Sequence, residues 1–492
     1  MLPIFVIIPL ACAFLIPIVS KFRKGSSALL VNLGGLLLLF FSVKSIFWLR
    51  EGVRVYYVGG WKPPFGICMT LDGLSVLMLL VVNLVGFLAL VYSIDYIKKY
   101  SSPALYYTLF SLLLAGLNGV VISGDMFNLF VFIEITSIAS YALVAFGVEA
   151  EDLEAAFKYL VLGSVASTLI LLAIGMILGS VSTLNMADIG KSLLALPSKN
   201  LILYCTALFV MGFGLKAALV PFHAWLPDAH PAAPAPMSAM LSGVVIKTIG
   251  VYALSRVMFN IIGFDRTISD IFIWLGIISM FVGVILAIGQ WDFKRLLAYH
   301  SISQIGYVVF GIGLGTPLGI MGGLFHLFNH SLFKSLLFLN AGSLEYASGT
   351  RQLDKMGGFS KEMPVTSTTS LVASLSIAGV PPFCGFWSKL MIIIAAFQAH
   401  NIIGGIVCIV VGMVTLASFL KVQKYAFTRK IEGVISGIKE SPFYMSFSMV
   451  ALALLCIAVG LFFAPFIDMV IRPAADALLG GLNYSAIILG AG

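Results

Sequence analysis

The chain of 492 residues is 60% hydrophobic and only 10% charged, with a mean hydropathy of +1.07, whereas soluble globular domains carry roughly 25% charged residues. A soluble fold has no place for so much apolar surface, and runs long enough to cross about 30 Å of hydrocarbon recur from end to end. The net charge of +8 does not indicate nucleic acid, because the basic residues lie mainly in short loops between apolar runs, as the positive-inside rule requires.

The first run, Met1 to Ser20, lacks the basic start and Ala-x-Ala exit of a signal peptide and is followed by Lys21, Arg23 and Lys24. It reads as a first membrane span. Apolar length and turn punctuation predict fourteen spans, starting near residues 2, 27, 72, 104, 126, 153, 201, 236, 267, 297, 317, 365, 401 and 442. The fold class is all-α and polytopic, with lipid as the solvent. Between spans 2 and 3, Arg50 to Asp72 alternates Val53, Val55 and Tyr57 and then carries Gly59, Gly60, Pro63 and Pro64, the pattern of a short extracytoplasmic hairpin.

Loops after odd-numbered spans hold Lys21, Arg23, Lys24, Lys98, Lys99, Lys294, Arg295, Arg351, Lys355, Lys361, Lys421, Lys424, Arg429, Lys430 and Lys439. Those after even spans, with the tail, hold Arg50, Arg54, Lys62, Lys191, Lys199, Arg266 and Arg472. The excess places odd loops in the cytoplasm and both termini outside, in a cell (plasma) membrane.

Two distant segments resemble each other: Ala218-Leu-Val-Pro221-Phe222-His-Ala-Trp225 in span 7 and Ala378-Gly-Val-Pro381-Pro382-Phe383-Cys-Gly-Phe-Trp387 in span 12. In each, proline interrupts an apolar helix near a lysine, Lys216 or Lys389. Interrupted helices at matching places in two halves point to inverted repeats with a transport path between them. The expected organisation is residues 1–103 as spans 1 to 3 with the hairpin, 104–260 as a first repeat of spans 4 to 8, 267–440 as a second of spans 9 to 13, and 441–492 as span 14 with a short tail.

An ionisable residue at mid-membrane costs about 3 kcal/mol on insertion scales, so each needs a partner, water or a role. Glu134, deep in span 5, needs a cation, and Lys216 in span 7 is the candidate. Lys247 is central in span 8 with nothing in its own helix to neutralise it. His326, His330 and Lys334 follow at i, i+4 and i+8 on span 11 and form one stripe about 12 Å long. Lys389 lies just past the break in span 12. Ser164, Ser167 and Thr168 on span 6, with Ser301, Ser303 and Gln304 on span 10, are placed to hold connecting water. Lysine suits such a relay because its protonation responds to desolvation and to neighbouring charge, and histidine titrates near neutrality. The plainer readings are a structural Glu134–Lys216 pair, a snorkelling Lys247 and hydrogen-bonded packing histidines.

The six cysteines stand singly, mostly in apolar runs, without a C-x-x-C spacing, so disulfide and metal frameworks have no support. Two histidines on one helix without a third ligand make neither a zinc site nor an axial haem pair. Ile189-Gly-Lys191-Ser192 resembles the end of a phosphate loop but has Asn185 where the first glycine belongs. No metal, cofactor or catalytic centre is expected.

Four segments carry a family resemblance: Gly124-Asp-Met-Phe-Asn-Leu-Phe-Val-Phe-Ile-Glu134, Lys216-Ala-Ala-Leu-Val-Pro-Phe-His-Ala-Trp-Leu-Pro-Asp-Ala-His230, Lys294-Arg-Leu-Leu-Ala-Tyr-His-Ser-Ile-Ser-Gln304 and His326-Leu-Phe-Asn-His-Ser-Leu-Phe-Lys334. Through them nearly the whole chain resembles the antiporter-like subunits of respiratory complex I, Mrp-type sodium/proton antiporters and energy-converting membrane-bound hydrogenases. The resemblance implies the fourteen-helix core, the inverted repeats, broken spans 7 and 12, and a water-bearing axis of charge with Glu134, Lys216, Lys247, His330 and Lys389 on channel positions. Lysine at 389 looks more like the Mrp D subunit and its hydrogenase counterpart than the middle antiporter-like member of complex I, and the tail is too short for the lateral helix of the distal one.

The expectation is therefore a proton-translocating subunit of a larger membrane complex, with other membrane subunits, protons, sodium in an Mrp setting, and lipid as its partners. Protons would enter from the cytoplasm near Lys247, pass His326 and His330, and leave by Lys389, gated by Glu134 and Lys216. The rival classes are a non-conducting scaffold and a quinone-binding subunit.

Overall fold

In hydrocarbon each backbone N–H and C=O must find its partner within its own segment, which leaves helices as the only open form. The computed structural model describes residues 2–22, 25–195, 199–429 and 438–490; Arg23, Lys24 and Lys430 of the charge count lie outside the described residues. The chain runs through α1 (Ile4–Phe22), α2 (Ser26–Leu49), the strands β1 (Arg54–Tyr57) and β2 (Cys68–Leu71), α3 (Gly73–Tyr96), α4 (Pro103–Ile122), α5 (Met126–Val144) and α6 (Ala150–Val181). A short α7 (Met186–Leu193) precedes the broken seventh span, α8 (Lys199–Lys216) and α9 (Leu226–Ala232). Then come α10 (Ala235–Ile262), α11 (Arg266–Ile288), α12 (Phe293–Gly313) and α13 (Pro317–Ser348). The broken twelfth span is α14 (Pro364–Ala378) and α15 (Cys384–Gln398), followed by α16 (Ile402–Thr428) and α17 (Phe443–Leu461).

All fourteen spans are present, each beginning within about four residues of its expected start, the usual uncertainty of such boundaries. Among the described residues, eleven helices are long and apolar enough to cross a membrane. The remaining three spans are the two broken ones and α13, whose histidines, asparagines and lysine lower its hydropathy. The hairpin forms as expected, with Arg54 opposite Leu71 and Tyr57 opposite Cys68 in antiparallel register.

The fold is layered from lipid inward. Phe14, Phe40, Leu172, Phe281 and Met413 stand exposed on outer helices, where hydrocarbon is the favourable solvent. By contrast α10 and α12 are buried almost throughout, and α13 is buried nearly continuously from Gly319 to Leu344. The polar residues therefore lie on the central helices. The connections after spans 3, 5, 7, 9 and 11 meet on one face, around Tyr100, Gly147, Ala233, Lys294 and Arg351. The hairpin, the α4–α5 turn and α7 meet on the other: Gly124 N donates to Cys68 O at 3.0 Å and Met186 N to Gly124 O at 3.0 Å.

At that second face Asp72, whose carboxylate caps α3 by accepting from Ser75 N at 2.9 Å, also binds Arg256 of α10 through two bonds of 2.6 and 2.7 Å. Both side chains are buried. Arg256 donates further to Asn260, whose amide reaches Ala477 O and Gly481 O at 2.9 and 3.1 Å. The tail after α17 is accordingly not loose: α18 (Arg472–Leu479) packs on α3, and α19 (Tyr484–Gly490) packs on α7. Asp72→Asn leaves a buried guanidinium without its anion, which costs about 3–5 kcal/mol. Thermal unfolding in detergent is expected to shift down sharply for Asp72→Asn, and an unchanged transition contradicts this role.

Candidate functional site

Glu134 of α5 and Lys216, the last residue of α8, approach to 3.8 Å. Lys216 is 1% exposed and Glu134 32%, so the carboxylate is the outer member of the pair. The closer contact of the ammonium is Ser137 Oγ, one turn along α5, at 2.8 Å; Ser167 of α6 donates its hydroxyl to Glu134 Oε1. Helix α8 stops here because Pro221 removes a donor and its neighbours cannot continue the ladder. Val220 N turns to Ser279 Oγ at 3.0 Å, and Trp225 Nε1 donates back to Leu215 O at 3.0 Å. The Trp225 ring stacks on Tyr159 with centroids 4.1 Å apart, which fixes the break against α6.

Lys247 lies where α10 is wound as a π-helix, over Leu241–Tyr252. That looser winding is uncommon and recurs at functional sites. The fully buried ammonium donates to Ser242 O at 2.6 Å and Gly243 O at 3.0 Å. Among the described residues no carboxylate lies within ion-pair distance of Lys247, Lys334 or Lys389. Ser242 Oγ also meets Ser301 Oγ of α12 at 2.7 Å, one of the expected water-holding hydroxyls.

The α13 stripe is continuous and buried. His326 and His330 are parallel to within 7°, with ring centroids 6.2 Å apart. His326 sits between Ser388 Oγ of α15 at 3.0 Å and Gln304 Oε1 of α12 at 3.1 Å. His330 and Lys334 have no protein hydrogen-bond partner, and His330 lies within electrostatic reach of Lys247, Lys334, His326 and Lys389. Lys389 donates to Ile377 O at 2.7 Å, a carbonyl left over where α14 ends, and its ammonium lies 4.8 Å from the Tyr307 ring centroid. The break of span 12 thus supplies Lys389 with a carbonyl, whereas at the break of span 7 the Leu215 carbonyl is taken by Trp225.

Of the expected water-holding residues, Ser167 binds Glu134, Gln304 binds His326, and Ser301 binds Ser242, whose carbonyl holds Lys247. Ser164 and Thr168 stand on the exposed side of α6, and Ser303 donates to Met280 O. Two further buried histidines, which sequence reasoning misses, join the interior. His230 of α9 stacks on Phe338 at 4.5 Å, with neither ring nitrogen partnered by protein. His300 of α12 meets Ser418 Oγ at 2.8 Å. Both stand inside the family-like segments, yet neither has the i, i+4 spacing that makes the α13 stripe conspicuous. Lys294 pairs with Glu345 at 2.8 Å, although its place in the sequence is that of a loop charge.

Known proteins match this chain in sequence and in fold. The profile of the NADH:quinone oxidoreductase/Mrp antiporter transmembrane family fits residues 123–416, and that of the complex I chain 5 N-terminus fits residues 58–107. A curated relative, the D subunit of the Na(+)/H(+) antiporter of Alkalihalophilus pseudofirmus, is 36% identical over 77% of this chain and 77% of its own. The chain belongs to this antiporter family. Among solved structures, a chain of the Mrp complex from Dietzia sp. DQ12-45-1b superposes with a TM-score of 0.90 at 28% identity over 99% of both chains. A chain of the archaeal membrane-bound sulfane sulfur reductase, described as a respiratory membrane complex, superposes at 0.91 and 29% over 99% of both. This family member is a multi-pass membrane protein with the antiporter-subunit fold.

Hydrogen bonds to charged groups contribute about 1.5–3 kcal/mol, so Lys389→Met, which frees the Ile377 carbonyl, is expected to lower the thermal midpoint modestly. Lys389→Arg should recover part of the loss, and equal midpoints for all three proteins contradict the capping role.

Proposed function

We propose that this chain conducts protons through its interior as one subunit of a hetero-oligomeric membrane complex, along Glu134, Lys216, Lys247, Lys334, His330, His326 and Lys389. The observation that carries the reading is the imbalance of charge: apart from Lys294, which pairs with Glu345, four buried lysines and two stacked histidines share the interior, and Glu134 is their one close carboxylate among the described residues. An ammonium group in low dielectric without an anion is costly. Protonation of one member therefore disfavours protonation of the next, and a proton is passed on rather than held. A scaffold has no use for that arrangement, since apolar residues of similar volume pack as well or better.

The parts divide the task. Lys247, on its π-turn, is held by backbone dipoles alone and can give up its proton without leaving a carboxylate unpaired. His330, with both ring nitrogens free of protein partners, accepts and donates through water. His326 hands on between Gln304 and Ser388, and Lys389 faces the outward half. Glu134 sets the state of Lys216: moving that carboxylate toward or away from the ammonium changes its proton affinity and, through repulsion, that of the next lysine.

Spans 4 to 8 and 9 to 13 act as two inverted repeats, over 104–260 and 267–440, each with one broken helix. The basic face around Lys294 and Arg351 is cytoplasmic, both termini lie outside, and the membrane is the cell membrane. Moving one charge against 100 mV costs roughly 2.3 kcal/mol, so the neighbours in the complex must supply a sodium gradient or a redox reaction. The Mrp-type relatives and the sulfane sulfur reductase support these two drives respectively.

Lys216→Ala and Lys247→Ala are each expected to abolish proton translocation by the reconstituted complex while subunit composition on gel filtration stays unchanged. Wild-type translocation in both variants would leave the scaffold reading standing instead.

A further inference from the structure

A cavity of about 950 Å³ opens on the face shared by the odd-numbered connections, with Lys99, Asp152, Lys294, Glu345 and Arg351 among its walls. Its floor is ionic. Lys294, 2% exposed at the start of α12, pairs with Glu345 in the last turns of α13 at 2.8 Å. Arg351 stands 4.0 Å from the other carboxylate oxygen and donates to Pro231 O at 2.6 Å. Lys294 also donates to Ala233 O at 3.2 Å, so the pair is tied to the end of α9 just past His230.

Behind that wall, next in the chain to Pro231, lies His230. It is fully buried, has no hydrogen-bond partner on either ring nitrogen among the described residues, and stacks on Phe338 at 4.5 Å, the same ring whose centroid lies 5.6 Å from Lys334 Nζ. Buried imidazole nitrogens normally have a partner, so a histidine held this way between a charged vestibule and an unpartnered lysine is placed to take a proton from one and give it to the other. A pair that merely tied α12 to α13 would need neither the opening above it nor the histidine below it.

We propose that this vestibule is the proton inlet of the chain and that the Lys294–Glu345 ion pair is its gate. A proton from vestibule water neutralises the Glu345 carboxylate, and Lys294 is released toward the Ala233 carbonyl. The proton then passes to His230 and on to Lys334, and Glu345, again anionic, recaptures Lys294. The inlet thereby joins the interior at Lys334, at the lower end of the α13 stripe. This inference rests on the proton axis proposed above.

The test uses the intact complex in proteoliposomes. All six native cysteines are buried, so Thr350→Cys in the vestibule wall gives a thiol that a bulky, cationic, membrane-impermeant methanethiosulfonate can reach from one side. Labelling from the face carrying residues 97–102 and 349–363 is expected to cut proton translocation at least about tenfold, and labelling an exposed hairpin control, Lys62→Cys, from the opposite face to leave it unchanged. Glu345→Gln should lose a similar factor, and Lys294→Arg should retain most of the flux where Lys294→Met does not. If Glu345→Gln fails to assemble, the Thr350→Cys complex, labelled after assembly, decides. Wild-type flux in labelled Thr350→Cys together with a dead Lys247→Ala overturns the inlet and keeps the axis. Wild-type flux in Lys247→Ala overturns the axis, and the inlet with it.

Discussion

An ammonium group in a low-dielectric interior must find an anion, a backbone dipole or water, and besides Lys294, which has Glu345, this chain buries four more on adjoining helices with one carboxylate close by among the described residues. Each lysine meets that demand differently. Lys216 has Glu134 and the Ser137 hydroxyl, Lys247 has two carbonyls of its own helix, and Lys389 has the carbonyl left where α14 ends. Lys334 has no hydrogen-bond partner among the described residues, only the face of the Phe338 ring 5.6 Å away. These differences turn a set of like charges into an ordered sequence, because the lysine with the least compensation is the one whose protonation depends most on its neighbours.

The secondary structure departs from regular helix in the places that supply those dipoles. The interruption in the twelfth span frees a carbonyl for Lys389, and the π-winding of α10 brings the Ser242 and Gly243 carbonyls under Lys247; in the seventh span the freed Leu215 carbonyl and Val220 N–H are taken by Trp225 and Ser279. Lipid enforces continuous helices at the periphery, where Phe14, Phe281 and Met413 face out. Irregular backbone is tolerated only where protein surrounds it. An apolar exterior around a polar centre is the consequence of one solvent.

Much of this is legible in the residues. Span starts follow from apolar length, the hairpin from the alternation of Val53, Val55 and Tyr57 ahead of glycine and proline, and the breaks from Pro221 and Pro381-Pro382 beside lysines. The Glu134–Lys216 approach can be read because each residue is costly alone. The direct Ser137 contact cannot, since a hydroxyl in an apolar run is cheap to bury against its own helix. The π-winding leaves no mark in residue type. His230 and His300 lack a helical partner at i+4, and Lys294 with Glu345 has the look of loop charges because both lie near helix ends. Asp72 and Arg256 join the two ends of distant spans, a contact no local pattern encodes.

The central claim is that the buried titratable groups form one conduit joined by water. A density map of the intact complex fine enough to place individual waters tests it most directly. The account predicts ordered water linking the His330 ring nitrogens to Lys334 and Lys247 and continuing past His326 to Lys389. Apolar side chains packed dry between those groups would contradict it.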